Sequence, residues 1–189
     1  NLCHFALMGT AYAKAAGVKD PRVGLVTNGT EDHKGDPLHQ EAHNLLKTLP
    51  GIHFVGNVEG RDIMGGDIDV AVCDGFSGNI ALKTTEGTAL ALMQIIKQNI
   101  MASFWAKVGY ALFMKKAFKN IKRVMDYSKY GGAVLLGIDK VVVKSHGSSK
   151  AESICASVLQ AKDAAASGLI SSIKELLASS DLEAIGAEG

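Results

Sequence analysis

Two short glycine-bearing strings hold the residues best suited to chemistry. The first, Cys73-Asp74-Gly75-Phe76-Ser77-Gly78-Asn79, follows the apolar run Val70-Ala71-Val72. The second, Lys144-Ser145-His146-Gly147-Ser148-Ser149, follows Val141-Val142-Val143. Each reads as a buried strand that ends on small residues at a helix start. The first N–H groups of a helix have no carbonyl partner, so such a corner offers donors and partial positive charge to an anion. Two such corners in one chain point to a single phosphate-handling crevice. Ser77 and Ser148 also read as ordinary helix caps. Ser77 is a poor candidate nucleophile, since no histidine sits nearby in sequence and the string is not a nucleophile elbow.

One string imitates a metal site. His39-Gln40-Glu41-Ala42-His43 places two histidines at i and i+4, a spacing that shares a cation. The glutamate is one position out of place and no third ligand is evident, so no metal is expected. Both histidines are expected beside a leucine stripe, on the exposed flank.

The elements that must hold these residues follow from periodicity. A helix is read from Leu2 to about Ala16, a strand from Arg22 to Thr27, and a polar loop from Asn28 to Gly35. Asp36 then caps a helix with Pro37 at its first position. Leu38, Ala42, Leu45, Leu46 and Leu49 form its buried stripe. Strands are read at Ile52 to Val55, Val70 to Cys73 and Val141 to Val143, with a helix from Ser77 to about Ile100. A final helix from about Ser149 to Ala178 opens on Ser149 and Glu152, a capping box. Its expected buried stripe is Ile154, Val158, Ala161, Ala165 and Leu169. Strands alternating with helices give an α/β fold with a mostly parallel sheet, which binds ligands beyond the carboxyl ends of its strands.

Composition bounds the class. The chain has 189 residues, 47% of them hydrophobic and 21% charged, enough to build a packed core. A net charge of +1 argues against non-specific nucleic-acid binding. Cys3, Cys73 and Cys155 form no C-x-x-C pair. The apolar surroundings of Cys73 and Cys155 read as buried, reduced thiols and a cytoplasmic setting. No apolar run is long enough to cross a bilayer.

Residues 103–129 carry two incompatible stripes. Phe104, Val108, Ala111 and Leu112 share one helical face, with Trp105 at its edge, whereas Met114, Phe118, Ile121 and Met125 define another. One straight helix cannot satisfy both, so a break is expected near Phe113, giving a helical hairpin with an apolar tip and a basic flank. Phe104, Trp105, Val108, Leu112 and Phe113 then either pack in a core or dimer interface or enter a lipid interface. In the second case Lys107, Lys115, Lys116, Lys119, Lys122 and Arg123 face anionic headgroups. The organisation is accordingly an α/β core over 1–102 and 130–180, the hairpin over 103–129, and a frayed tail over 181–189.

Four strings together carry a resemblance. Gly29-Thr30-Glu31-Asp32-His33-Lys34-Gly35, Asp74 to Thr84, Tyr127-Ser128-Lys129-Tyr130-Gly131-Gly132-Ala133 and Lys144 to Ser149 resemble the PlsX family of bacterial phosphate acyltransferases over nearly the whole chain. The chain is similar to the C-terminal half of that family. The family's opening D-A-M-G-G-D segment has no counterpart here, and the asparagine of its L-N-x-G string is displaced by one place in Val26-Thr27-Asn28-Gly29. The resemblance implies transfer of a fatty acyl group from acyl carrier protein to inorganic phosphate for phospholipid synthesis. It also implies a homodimer, peripheral membrane association without a cofactor, and a Rossmann-like core akin to phosphotransacetylase and isocitrate dehydrogenase.

Attack of phosphate on a thioester needs positioning and oxyanion stabilisation more than a strong base, because the dianion is nucleophilic and a thiolate leaves readily. On that reading Lys34, Asp74 and His146 are the catalytic candidates. Thr30, Glu31, Gly75, Ser77, Gly78, Asn79, Lys83, Gly147, Ser148 and Ser149 are the phosphate- or substrate-binding candidates. Lys34 and Lys83 supply positive charge and His146 a hydrogen bond, while Lys83 is also spaced to pair with Glu86. Three alternatives remain at this level: a coenzyme A-dependent phosphotransacetylase, a nicotinamide-dependent dehydrogenase lacking the usual G-x-G-x-x-G, and an inactive fragment that binds membrane or carrier protein.

Overall fold

The protein is described here by a computed structural model, which covers residues 1–125, 131–147 and 149–180. Helix α1 (Leu2–Ala15) leads into strand β1 (Arg22–Val26), helix α2 (Pro37–Thr48), and strands β2 (His53–Val58) and β3 (Val70–Val72). The three strands form a parallel sheet in the order β2-β1-β3. Val23, Leu25 and Val72 point to one face. There they meet Leu2, Cys3, Ala6 and Leu7 of α1, with Ala42 and Leu46 of α2 and the adjoining Leu49. The chain is therefore α/β, as its alternating pattern requires. Arg22 ties the sheet to the segment before β3 through Asp69, and that guanidinium pulls the Asp69 carboxyl down to about 2.

Helix α2 starts as its sequence dictates. The Asp36 side chain accepts the His39 N–H at 2.9 Å, and Pro37 fills the first position. Two details differ from the periodic reading. Leu38 is exposed, and His43 is completely buried rather than on the exposed flank. The buried arc of α2 is narrow, running through Ala42, His43 and Leu46 to the adjoining Leu49.

Strand β2 carries an irregularity opposite Val23 and Gly24. Phe54 pairs with Val23 but Gly56 pairs with Gly24, so one extra residue enters β2. Gly56 sits at φ +103°, a conformation open to glycine and strained for other residues. The bulge brings Asn57 onto the same face as Phe54, three residues earlier, where simple alternation would have turned it away.

Helix α3 (Gly75–Ala102) follows β3 and has no buried residue among its 28. An extended residue, Ser103, separates it from α4 (Phe104–Gly109), whose first turn it caps through Oγ. The expected break near Phe113 is not a turn. Residues Tyr110–Met114 form a π-helical segment that continues directly into α5 (Lys115–Met125). A π turn accommodates one extra residue and so rotates later side chains by roughly one residue's angle. That rotation reconciles the two apolar stripes without a hairpin at that point, and Tyr110 and Phe118 meet edge to face at 5.2 Å across it.

The chain returns as β4 (Ala133–Leu135) and β5 (Val142–Lys144), an antiparallel pair separate from the parallel sheet. The strand expected near Val141 to Val143 is thus not a fourth parallel strand. Gly132 lies so close to β5 that a Cβ there would stand 2.4 Å from the Lys144 carbonyl oxygen. The final helical region is two helices, α6 (Ala151–Ala166) and α7 (Leu169–Ala178), parted at Gly168 with φ +70°. The capping box does not form: the N-cap is Lys150, and Ser149 N–H turns back to the His146 carbonyl. The buried face of α6 is Ser153, Ser157 and Ala164, while Ile154 and Val158 are exposed. Ser145 and Gly132 dock on that face through Ser157 and Gln160, so hydrogen bonding rather than apolar matching sets its orientation. Cys3 is buried, Cys73 half-buried and Cys155 exposed, which corrects the expectation for Cys155.

Candidate functional site

All three strands of the parallel sheet end on one edge, since Val26 pairs with Val58 and Leu25 with Val72. The chain leaves central β1 toward β2 on one side and then crosses to β3 on the other. The order therefore reverses between β1 and β3, the position at which open α/β sheets bind their ligands. The loop after β1 carries Thr30, Glu31 and Lys34. The corner after β3 carries Asp74, Gly75, Ser77, Gly78 and Asn79. Strand register thus places these two groups of candidates at adjacent positions on the same edge.

The β1 loop is tightly tied. Thr27 extends the ladder to Val58, its hydroxyl donates to the Gly29 carbonyl at 2.6 Å, and Asn28 Oδ1 accepts the Gly35 N–H at 3.0 Å. A Cβ on Gly29 would lie 2.9 Å from both Glu31 Oε2 and Lys34 Cγ, so these two side chains fold across that glycine. Thr30 and Glu31 are exposed and Lys34 half-buried. Asp32 pairs with Lys47 of α2, and that ammonium holds its carboxyl below the ordinary carboxylate range.

The β3 corner is occupied in part by its own carboxylate. Asp74 caps α3: Oδ1 accepts the N–H groups of Phe76 (2.8 Å) and Ser77 (2.9 Å), and Oδ2 accepts the Ser77 hydroxyl (2.6 Å). Those bonds, the Ser77 hydroxyl foremost, lower the Asp74 pKa. Two of the amides expected to face an anion are therefore engaged within the chain. Gly78 lacks a Cβ for a packing reason, because one would stand 2.9 Å from Cys73 Sγ. Burial raises the Cys73 thiol pKa, so it stays protonated and unsuited to nucleophilic attack. Gly75 differs: a Cβ there would meet nothing within 4 Å, leaving the backbone accessible. Asn79 is exposed in the first turns of α3, and Lys83 bonds Glu86 at 2.8 Å one turn further on.

The second corner belongs to a different substructure. His146, Gly147 and Ser149 follow β5, which pairs with β4 and packs on α6, so the parallel register does not align them with the first corner. Gly147 also faces open space, and the side chain of the N-cap residue, Lys150, makes no capping hydrogen bond to α6. Ser148, Tyr127 to Tyr130, the side chains of Lys122, Arg123 and Met125, and the tail 181–189 lie outside the described residues. A cleft between α1 and α6, lined by Tyr12, Gln160 and Asp163 among others, contains none of the candidates.

Among the expected lipid-facing residues, Phe104, Trp105, Leu112 and Phe113 are 71%, 78%, 70% and 82% exposed, whereas Val108 is half-buried. Lys115 and Lys116 are exposed beside them. Among the described residues no helix is long and apolar enough to cross a membrane.

Periodicity gave no hint of one cluster. His43, Asn57 and Asp32 meet beneath the β1 loop, where His43 Nδ1 bonds Asn57 Oδ1 at 2.8 Å. The signal available was a pair of polar residues embedded in apolar patterns on α2 and β2.

Comparison with known proteins defines the class. The chain belongs to the fatty acid synthesis protein family, whose model matches residues 1–172. It is 48% identical over 178 residues to a phosphate acyltransferase of Bacillus cytotoxicus, covering 94% of this chain and 53% of that protein. It is 49% identical over 178 residues to a phosphate acyltransferase of Sulfurovum sp. strain NBC37-1, covering 94% and 54%. A third phosphate acyltransferase, from Bacillus cereus strain AH820, is 46% identical over 184 residues, covering 97% and 55%. The chain spans about half the length of these relatives.

Proposed function

We propose that this chain is the C-terminal half of a phosphate acyltransferase that makes acyl phosphate from a fatty acyl thioester of acyl carrier protein. The observation that carries the reading is the reversal of strand order between β1 and β3, with the 27–36 loop and the Asp74 corner flanking it on one edge. The similarity to proteins named phosphate acyltransferase supports it. The wider core is read as Rossmann-like, of the phosphotransacetylase and isocitrate dehydrogenase type.

In this reaction a phosphate oxygen adds to the thioester carbonyl carbon, and the tetrahedral oxyanion collapses with cleavage of the C–S bond. The thiolate leaves with the electron pair and takes a proton from water. Lys34 and Lys83 would offset phosphate charge. Gly75, Gly147, Ser148 and Ser149 would present donors, with Thr30, Glu31, Ser77, Gly78 and Asn79 shaping the pocket. His146 would hydrogen-bond phosphate or the oxyanion. Asp74, with both oxygens engaged, would act by holding the α3 corner in shape.

The test is phosphate-dependent thiol release by the complete protein, with acyl carrier protein and coenzyme A thioesters compared. Release from the carrier thioester only in the presence of phosphate is the expected result. Preference for coenzyme A would favour the phosphotransacetylase alternative, and no release from either would overturn the reading.

A second reading concerns location. The aromatic and leucine exposure on α4 and the π segment, beside the α5 lysines, favours peripheral attachment to an anionic membrane. The bare surface of α3 favours a helix packed against other protein, consistent with a homodimer.

A further inference from the structure

His43 is wholly buried on α2 and forms a T-shaped pair with Phe54, ring centroids 5.3 Å apart. An apolar residue would fill this place beside Ala42 and Leu46 without the cost of dehydrating two ring nitrogens. One nitrogen instead faces Asn57 of β2, which in turn holds the β1 loop, and the other faces Asp32 of that loop. Nδ1 lies 2.8 Å from Asn57 Oδ1, and Asn57 Nδ2 donates to the Glu31 carbonyl at 2.8 Å. Because the Asn57 amide nitrogen is spent on Glu31, its oxygen must accept, so His43 Nδ1 is the donor. Nε2 lies 3.3 Å from Asp32 Oδ1, a close polar contact outside hydrogen-bond geometry, and Lys47 holds the other oxygen of Asp32. The bulge at Gly56 serves the same arrangement, since it turns Asn57 toward α2.

We propose that His43 is a positioning residue: from inside the core it fixes Glu31 through Asn57 and faces Asp32 directly, and so sets the loop that presents Thr30 and Lys34. The inference rests on the reading of that loop as part of a phosphate site. It does not make His43 a catalytic residue, because no path to substrate is open to a side chain with no exposed surface.

Two substitutions in the complete protein separate positioning from packing. His43→Phe keeps the ring and its contact with Phe54 but removes both nitrogens. His43→Asn keeps a donor near the place of Nδ1 but leaves a cavity. With phosphate-dependent thiol release as the assay, His43→Phe should raise KM for phosphate about tenfold with little change in kcat, and, because it orphans the buried Asn57 oxygen but keeps the ring volume, should lower Tm less than His43→Asn does. His43→Asn should lower Tm yet restore much of the phosphate KM. A KM that follows Tm across the two variants, or a wild-type KM in His43→Phe, overturns the inference. Hydrogen exchange at amides 30–34 gives a readout independent of activity: faster exchange in His43→Phe, with recovery in His43→Asn, is expected. Unchanged exchange in His43→Phe overturns positioning even if the enzyme is active. Should the wild type release no thiol with phosphate, the functional reading fails while the exchange result still decides the role of His43.

Discussion

Asp74 Oδ2 accepts the Ser77 hydroxyl at 2.6 Å, so the carboxylate at the most chemically suggestive corner of this chain is turned onto its own helix. It satisfies amides that an uncapped helix would leave to solvent or ligand. Its lowered pKa carries a signed consequence. A depressed folded pKa adds stability above the unfolded value of 3.8, and that stability is lost as pH falls through the lower folded value. Asp74→Asn should therefore lower Tm at pH 7, and the difference from wild type should close as pH drops below 3.8. A difference that persists unchanged into strong acid would contradict the assignment.

Gly78 sets helix propensity against packing. Alanine in a helix interior is favoured over glycine by about 1 kcal/mol, but overpacking costs about 1–3 kcal/mol. With Cys73 Sγ only 2.9 Å from the new Cβ, Gly78→Ala should be neutral to destabilising. In a Cys73→Ala background the clash is gone, and the same change should stabilise by about 1 kcal/mol in denaturant unfolding. Additive behaviour of the two substitutions would refute the contact.

Lys34 and His146 sit on separate substructures, and both are proposed to meet the same phosphate. Lys34→Ala should raise the phosphate KM tenfold or more, about the effect of one charge-assisted hydrogen bond. His146→Ala should lower kcat if it serves the oxyanion and raise KM if it holds phosphate. Kinetics indistinguishable from wild type for both variants would remove them from the site.

Trp105 is 78% exposed next to Phe104 on α4. Trp105→Glu should reduce flotation with anionic vesicles by several-fold while leaving thiol release from soluble substrate unchanged, because it removes the aromatic area that would enter the lipid interface and adds repulsion. Wild-type flotation by this variant would exclude insertion of this face.

Local physical chemistry was legible in the residues themselves. Asp36 before Pro37 gave the α2 start, short apolar runs marked the three parallel strands though β2 continues past the expected Val55 to Val58, and the alternation of strand and helix gave an α/β chain. The glycine strings located both corners. Other features were decided only by tertiary packing. Ile154 and Val158 share a helical stripe, yet Ser153 and Ser157 face inward, where Ser145 bonds Ser157 and the Gly132 N–H is accepted by Gln160 of the same helix. The strand at Val142–Lys144 left the parallel sheet because Gly132 lets Ala133–Leu135 approach it closely as an antiparallel partner. His43 and Asn57 are 14 residues apart, and only a bulge at Gly56 turns them to face each other. Periodicity reports which side of one element is apolar. Which neighbour covers that side, and which polar groups are paired across it, depends on contacts between residues distant in the chain.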